Sequence, residues 1–292
     1  MRILITGATG NIGKATIDAL LSLKIDAEVV AGLRDIKNDV MAFEKPEFLE
    51  FQEFDFEKVD QFNKYLEGID TLFLLRPPQI SDTKKYFQPL IAEAIKLGLE
   101  HIVFLSVQGA DKNSIIPHYK IEKMIMDSGI PYTFLRPAYF MQNFTTTLRK
   151  DIIEKSEVFL PAGNAKFTVV DAKDIGLVAA KILLSSEDHQ NEAYDLTNNE
   201  KLTFGEMVHQ INEITGQSIT FKSPNLVSFF IRKSKEGVPT MLILVMIMLH
   251  YFPRFQATPD TSDSVLRITG NEPGSFKRFV VREQELLSQI TK

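Results

Sequence analysis

The strongest chemistry in the chain lies in seven residues near its start, Gly7-Ala8-Thr9-Gly10-Asn11-Ile12-Gly13. Glycines at this spacing permit a tight turn and let backbone N–H groups approach a pyrophosphate, which then rests at the positive N-terminus of the following helix. The spacing GxxGxxG is one residue longer at its start than the common dinucleotide fingerprint. Its context is the required one. Arg2–Thr6 reads as an apolar strand before it, and Ile12, Ala15, Ala19 and Leu23 recur with the period of one helix face after it. Gly7, Thr9, Gly10, Asn11 and Ile12 are therefore candidate cofactor residues, against the alternative of a glycine-rich turn that binds nothing.

A second strand, Glu28–Leu33, ends in Arg34-Asp35. An acidic residue there serves the ribose 2′-hydroxyl of NAD, whereas an arginine accepts a 2′-phosphate. Arg34 favours NADP(H) over NAD(H); Asp35 takes the NAD role if the strand ends later. Asp55-Phe56 follows a third strand and offers contacts to an adenine edge and face, or plain core packing for Phe56. Leu75-Arg76 and Ser106 stand at the ends of further strands, where ligands bind in open α/β sheets. The aromatic segment Tyr139-Phe140-Met141-Gln142-Asn143-Phe144 suits a flat apolar substrate, with Tyr139, Phe140 and Asn143 as contacts, or ordinary packing. The five histidines have neither i, i+4 pairing nor a nearby carboxylate set, so no metal site is expected.

The elements that must position these residues alternate in type. Strands are expected at Phe48–Phe54, Ile69–Leu75, His101–Ser106 and Tyr132–Arg136, and helices at Tyr86–Leu97 and Tyr119–Asp127. Strands separated by helices imply right-handed βαβ units. After Pro137 the pattern loosens into a strand at Phe167–Val170, a helix capped by Asp174, a short strand at Tyr194–Leu196, and a helix opened by a Thr203/Glu206 capping box and closed by Gly216. The fold class is α/β: a doubly wound parallel Rossmann sheet with a small, mainly helical C-terminal lobe over its edge. Residues 1–150 are read as the NAD(P)-binding domain and 151–292 as the smaller substrate or interaction lobe, interleaved with the sheet.

Composition narrows the function classes. The chain has 292 residues, no cysteine and a formal net charge of −5. Disulfides, thiolate nucleophiles and Cys-ligated metals are excluded, and no basic stripe points to nucleic acid. The opening residues lack the pattern of a secretory signal, which makes the cytoplasm the default expectation. The apolar run from Val238 to Phe252 is shorter than the roughly 20 residues of a bilayer span. It is expected to be a buried or cleft-covering helix, or else a homodimer, protein-partner or membrane-surface contact.

Four segments carry a family likeness: GATGNIG, HIVFLSV, the stretch from His118 to Phe144 (HYKIEKMIMDSGIPYTFLRPAYFMQNF), and ITGNEPGSFKRFV near the C-terminus. Together they resemble the NmrA-like branch of the atypical short-chain dehydrogenases/reductases, over nearly the whole chain and closest to its bacterial quinone-reductase type. The resemblance implies NADP(H) in the cleft, a small-molecule acceptor, and a loop above the nicotinamide that includes Pro137, Tyr139 and Phe140. Some members bind the dinucleotide without catalysis and act as redox-sensing regulators. The wider superfamily uses Tyr-x-x-x-Lys on a helix, the lysine lowering the tyrosine's pKa for proton transfer. Tyr119 and Lys123 have that spacing, and Ser106 stands where the supporting serine falls. This triad would also suit a nucleotide-sugar epimerase or dehydratase. Aligned instead on Ser128–Thr133, His118 occupies the catalytic or contact position. Hydride transfer to a quinone needs no strict triad, since the cofactor supplies the chemistry.

Overall fold

The structure is a computed structural model that describes residues 1–23, 27–43 and 49–288. Along the chain the elements are β1 (Arg2–Ile5), α1 (Asn11–Ser22), β2 (Glu28–Leu33), α2 (Ile36–Asp39), β3 (Glu50–Glu53), α3 (Phe62–Leu66), β4 (Thr71–Leu75), α4 (Thr83–Lys96), β5 (His101–Leu105), α5 (Pro117–Asp127), β6 (Tyr132–Pro137), β7 (Tyr139–Phe140), α6 (Arg149–Lys155), β8 (Glu157–Phe159), β9 (Lys166–Val170), α7 (Ala172–Leu184), β10 (Glu192–Leu196), β11 (Lys201–Thr203), α8 (Phe204–Thr215), β12 (Thr220–Lys222), α9 (Leu226–Lys235), α10 (Thr240–Tyr251), α11 (Ser264–Thr269), α12 (Phe276–Arg282) and α13 (Gln284–Leu287). The expected third strand began at Phe48, which lies outside the described residues.

The chain divides into two compact units. The first comprises Met1–Ala138, Ala172–Leu196 and Ser264–Glu272. The second takes Tyr139–Asp171, Thr197–Asp263 and the residues from Pro273 onward. The sequence reading set the lobe at residues 151–292, interleaved with the sheet; the chain passes between the units several times, and α7 and β10 lie with the first.

The first unit is built on a seven-stranded sheet of order β10-β6-β5-β4-β1-β2-β3. Every pair in it is parallel. Its central strand β4 is buried along its whole length, as expected when helices cover both faces. One helix pair is unusually close: a Cβ on Gly176 of α7 would lie 2.4 Å from the backbone carbon of Ala15 in α1. Asp174, expected to cap α7, lies in its first turn, because the helix already starts at Ala172. On the other face, Phe54, Phe62, Tyr65, Phe87 and Phe104 anchor a core that extends to Phe134.

The second unit holds a three-stranded sheet (β11-β9-β7), a two-stranded one (β12-β8) and six helices among its described residues. The expected Thr203/Glu206 capping box is complete, and Gly216 ends α8 in the left-handed region. The apolar run is not fully buried, the first of the two alternatives expected for it. It forms α10, but only Ile243, Met246 and His250 of that helix are buried. Met241, Leu242, Leu244, Val245, Met248 and Leu249 are exposed, because the helix is apolar on every side and can bury only one. Among the described residues, no helix is long and apolar enough to cross a membrane.

Candidate active site

The glycine turn joins β1 to α1, and each glycine has its own reason. Gly7 has φ +58°, a conformation open to glycine at little cost. A Cβ on Gly13 would stand 2.4 Å from the Gly7 carbonyl oxygen and 2.7 Å from the Ala8 Cα. Gly10 is the N-cap of α1, and no side chain caps the helix. The first N–H groups of α1 therefore point outward without a side-chain acceptor, which suits an anion. Thr9, Gly10 and Asn11 are exposed there, while the Ile12 side chain is buried and leaves only its backbone to contribute.

A cleft opens beside this turn, lined by Gly7, Thr9, Arg34, Asp55, Phe56 and Ile80, among others. Arg34 is exposed on its wall. The Asp35 carboxylate is turned elsewhere: it caps α2 by accepting from the Asn38 backbone N–H at 3.3 Å and from its side-chain amide at 2.5 Å. Asp55 accepts from the Glu57 N–H at 2.9 Å, which fixes the turn after β3. Phe56 reaches the cleft wall but is only 5% exposed, packed 5.0 Å from Phe54 and 5.3 Å from Phe87, so core packing takes most of its surface.

Further along the same rim, Leu75 packs against the turn, its Cβ 3.4 Å from where a side chain on Gly7 would begin. Arg76 does not point outward. Its Nη1 donates to the carbonyls of Pro77, Pro78 and Ile80 at 3.1, 3.2 and 2.8 Å, and its Nε donates to His118 Nε2 at 3.4 Å. Burial, assisted by the Arg76 charge, pushes the His118 pKa down to about 3.

The Ser106, Tyr119 and Lys123 side chains do not form one hydrogen-bonded set. Ser106 Oγ donates to the buried Glu122 Oε1 at 2.5 Å, and Glu122 also receives Arg136 at 3.0 and 2.7 Å. Lys123 is half exposed, 4.0 Å from Asp127. Tyr119 is half-buried on the first turn of α5. The sequence reading missed Glu122. Its signal was position: four residues after His118, it shares the helix face that meets β5 and β6.

In the second unit the acceptor candidates belong to an aromatic cage. The Tyr139 ring packs against Phe167, Phe204 and His250 at 5.9, 5.5 and 5.6 Å. Burial raises the Tyr139 hydroxyl's pKa well above its ordinary value, partly offset by a hydrogen bond with Asn143. His250 Nδ1 lies 2.6 Å from the Met246 carbonyl, which can only accept, so Nδ1 carries the proton and Nε2 accepts from Tyr139 at 3.3 Å. Phe140 is half-buried beside them, and Pro137 is buried at the end of β6 in the first unit. The segment's turn is tied down by Gln142, which donates to Asp171 at 2.7 Å, and Asp171 in turn receives Arg282 at 2.6 Å.

The profile of the NmrA-like family matches residues 1–247. This chain belongs to the NmrA-like family. It is similar to prestalk A differentiation protein A of Dictyostelium discoideum, 28% identical over 280 residues that cover 96% of this chain and 91% of the relative. An NAD(P)H azoreductase of Xenophilus azovorans is 25% identical over 282 residues, 95% of this chain and 96% of the relative. Among solved structures, the NADPH-dependent quinone oxidoreductase of Escherichia coli in complex with NADPH superposes with a TM-score of 0.84 at 21% identity. That match covers 96% of this chain and 99% of the other, and it places this NmrA-like protein in the same Rossmann-type fold.

Proposed function

We propose that this protein is an NADPH-dependent oxidoreductase that transfers a hydride to a quinone or a similar small carbonyl or aromatic acceptor. The observation that carries the reading is the uncapped head of α1 behind Gly7–Gly13, opening on a cleft whose wall bears the exposed Arg34. The azoreductase and quinone oxidoreductase relatives support the same class. In this reading the α1 N–H groups hold the pyrophosphate, Arg34 holds the 2′-phosphate, and Asp55 and Phe56 border the adenine. Asp35 is spent on capping α2, which supports NADP(H) over NAD(H). When bound, the reduced nicotinamide supplies the hydride. The chain's own part in the first unit is to bind, orient and exclude water, with Leu75 and His118 beyond the glycine turn.

The test is loss of NADPH absorbance on mixing the protein with a panel of quinones, azo dyes and aromatic carbonyls. Turnover of at least one class is the expected result, and none with any member contradicts the reading. Arg34→Ala is expected to weaken NADPH binding by about 10-fold or more, one charge-assisted contact, and to leave NADH nearly unchanged. Equal losses would contradict the role given to Arg34.

A second reading, an NADP(H)-sensing regulator that docks on a protein or on a second copy of itself, draws on the exposed apolar residues of α10. It expects self-association or partner capture that Leu244→Glu abolishes, with NADPH binding intact. An epimerase or dehydratase reading loses support because Ser106 and Lys123 are engaged with Glu122 and Asp127.

A further inference from the structure

We infer that Arg76 fixes His118 as a neutral imidazole with its proton on Nδ1, and that this N–H donates a hydrogen bond to the oxygen of the acceptor as hydride arrives. The inference rests on the reductase reading above for its acceptor, and on the geometry of the first unit for everything else. A guanidinium has donors only, so the Nε2 that meets Arg76 Nε at 3.4 Å must present its lone pair. A ring that accepts at Nε2 is neutral and carries its single proton on Nδ1.

Arg76 is well held for this task. Three carbonyls of the 77–80 turn fasten its Nη1, which leaves Nε aimed at the ring. The His118 ring lies 6.1 Å from the Phe104 ring. Glu122, one turn along the same helix, spends its carboxylate on Ser106 and Arg136 and does not receive His118. Arg76 is therefore the charge that faces the imidazole, and together with burial it disfavours protonation.

The Nδ1–H has no hydrogen-bond partner among the described residues, and it is not among the buried polar atoms left unpaired. It is thus open to an incoming oxygen. A chain of contacts links it to the glycine turn: Leu75 packs on Gly7, Arg76 follows Leu75, and Arg76 reaches His118. The reaction balances without a proton from the imidazole. A bound NADPH would supply the hydride that adds to the quinone; the electron pair would then shift to the quinone oxygen, and water would supply the proton that completes the hydroquinone. His118 keeps its proton and stabilises the developing oxyanion, a task for which a neutral donor needs no titration. The activity is then level between pH 5 and 8, where an ordinary histidine acid would titrate.

Two measurements on the full chain test this. The first is the nitrogen-15 spectrum of the imidazoles from pH 5 to 8, with the His118 signal identified by its absence in His118→Gln. A neutral Nδ1–H ring throughout is expected, and a shift toward Nε2–H in Arg76→Leu. An Nε2–H ring, or titration near the ordinary histidine value, overturns the inference whether or not the protein is a reductase. The second is NADPH oxidation with 1,4-naphthoquinone. His118→Ala is expected to lower kcat about 100-fold with NADPH binding changed less than 3-fold. His118→Asn, whose amide donates from the position of Nδ1, should recover much of that loss, and His118→Gln, whose amide donates from the position of Nε2, should not. Equal losses in the Asn and Gln variants overturn the inference, and so does an unchanged kcat in His118→Ala. No turnover even in the parent chain contradicts the reductase reading, while the spectrum still decides the tautomer.

Discussion

At the head of α1 the polar atoms on offer are backbone N–H groups, and the residues around them matter for what they lack. Around Tyr139 the polar atoms belong to side chains from distant parts of the second unit, β7, β9, α8 and α10, brought together by an aromatic core. The first arrangement tolerates almost no added volume, whereas the second tolerates the loss of one polar atom at moderate cost. A backbone site is thus specified by sterics and a side-chain site by packing, and substitutions separate the two.

The largest expected effect is at the backbone site. Gly13→Ala puts a methyl group 2.4 Å from the Gly7 oxygen, so the turn must shift. Loss of detectable NADPH binding is expected, with a stability loss of about 3 kcal/mol in urea unfolding. Unchanged binding would remove the contrast.

Acid should act on buried side chains in both units. Burial pushes His250 and His101 down to about 4 and His118 to about 3. Their neutral forms belong to the fold, while the unfolded chain takes up protons near 6.5. Stability is therefore full above about pH 6.5 and falls as pH drops toward 4, by up to on the order of 3 kcal/mol for each such histidine. Glu236 adds a separate, lower window. Burial alone would raise its pKa, but hydrogen bonds from Lys155, Lys233 and Arg232 hold it at about 2, so its contribution fades between about pH 4.5 and 2. Unfolding curves across pH check both windows, and His250→Gln should flatten part of the upper one.

The smallest effect is at the cage. Tyr139→Phe removes the hydroxyl that His250 accepts, at an expected cost of about 1 kcal/mol in thermal or urea unfolding, with NADPH binding retained. A loss comparable to that of Gly13→Ala would mean that the two regions do not differ as described.

These regions also differ in how far they can be read from sequence. The glycine turn and the strands through β6 were legible because their determinants are local: spacing, periodicity, and an apolar run for each buried strand. The capping box at Thr203 was legible for the same reason. The engagement of Ser106 by Glu122 was not, since Tyr119 and Lys123 offered a familiar spacing and nothing local reveals where a serine hydroxyl points. His250 meets Tyr139 across 111 positions, and Arg282 meets Asp171 across the same separation, pairings that no window of sequence contains. The α10 run left two alternatives open for a related reason. Its composition signals burial, but a helix apolar on every side exposes whatever its neighbours do not cover.

Calorimetric titration of the full chain with NADPH tests the central claim most directly. One saturable site per chain, weakened about 10-fold or more in Arg34→Ala and lost in Gly13→Ala, is the predicted result. An absence of NADPH binding in the parent chain, or binding indifferent to both substitutions, would contradict it.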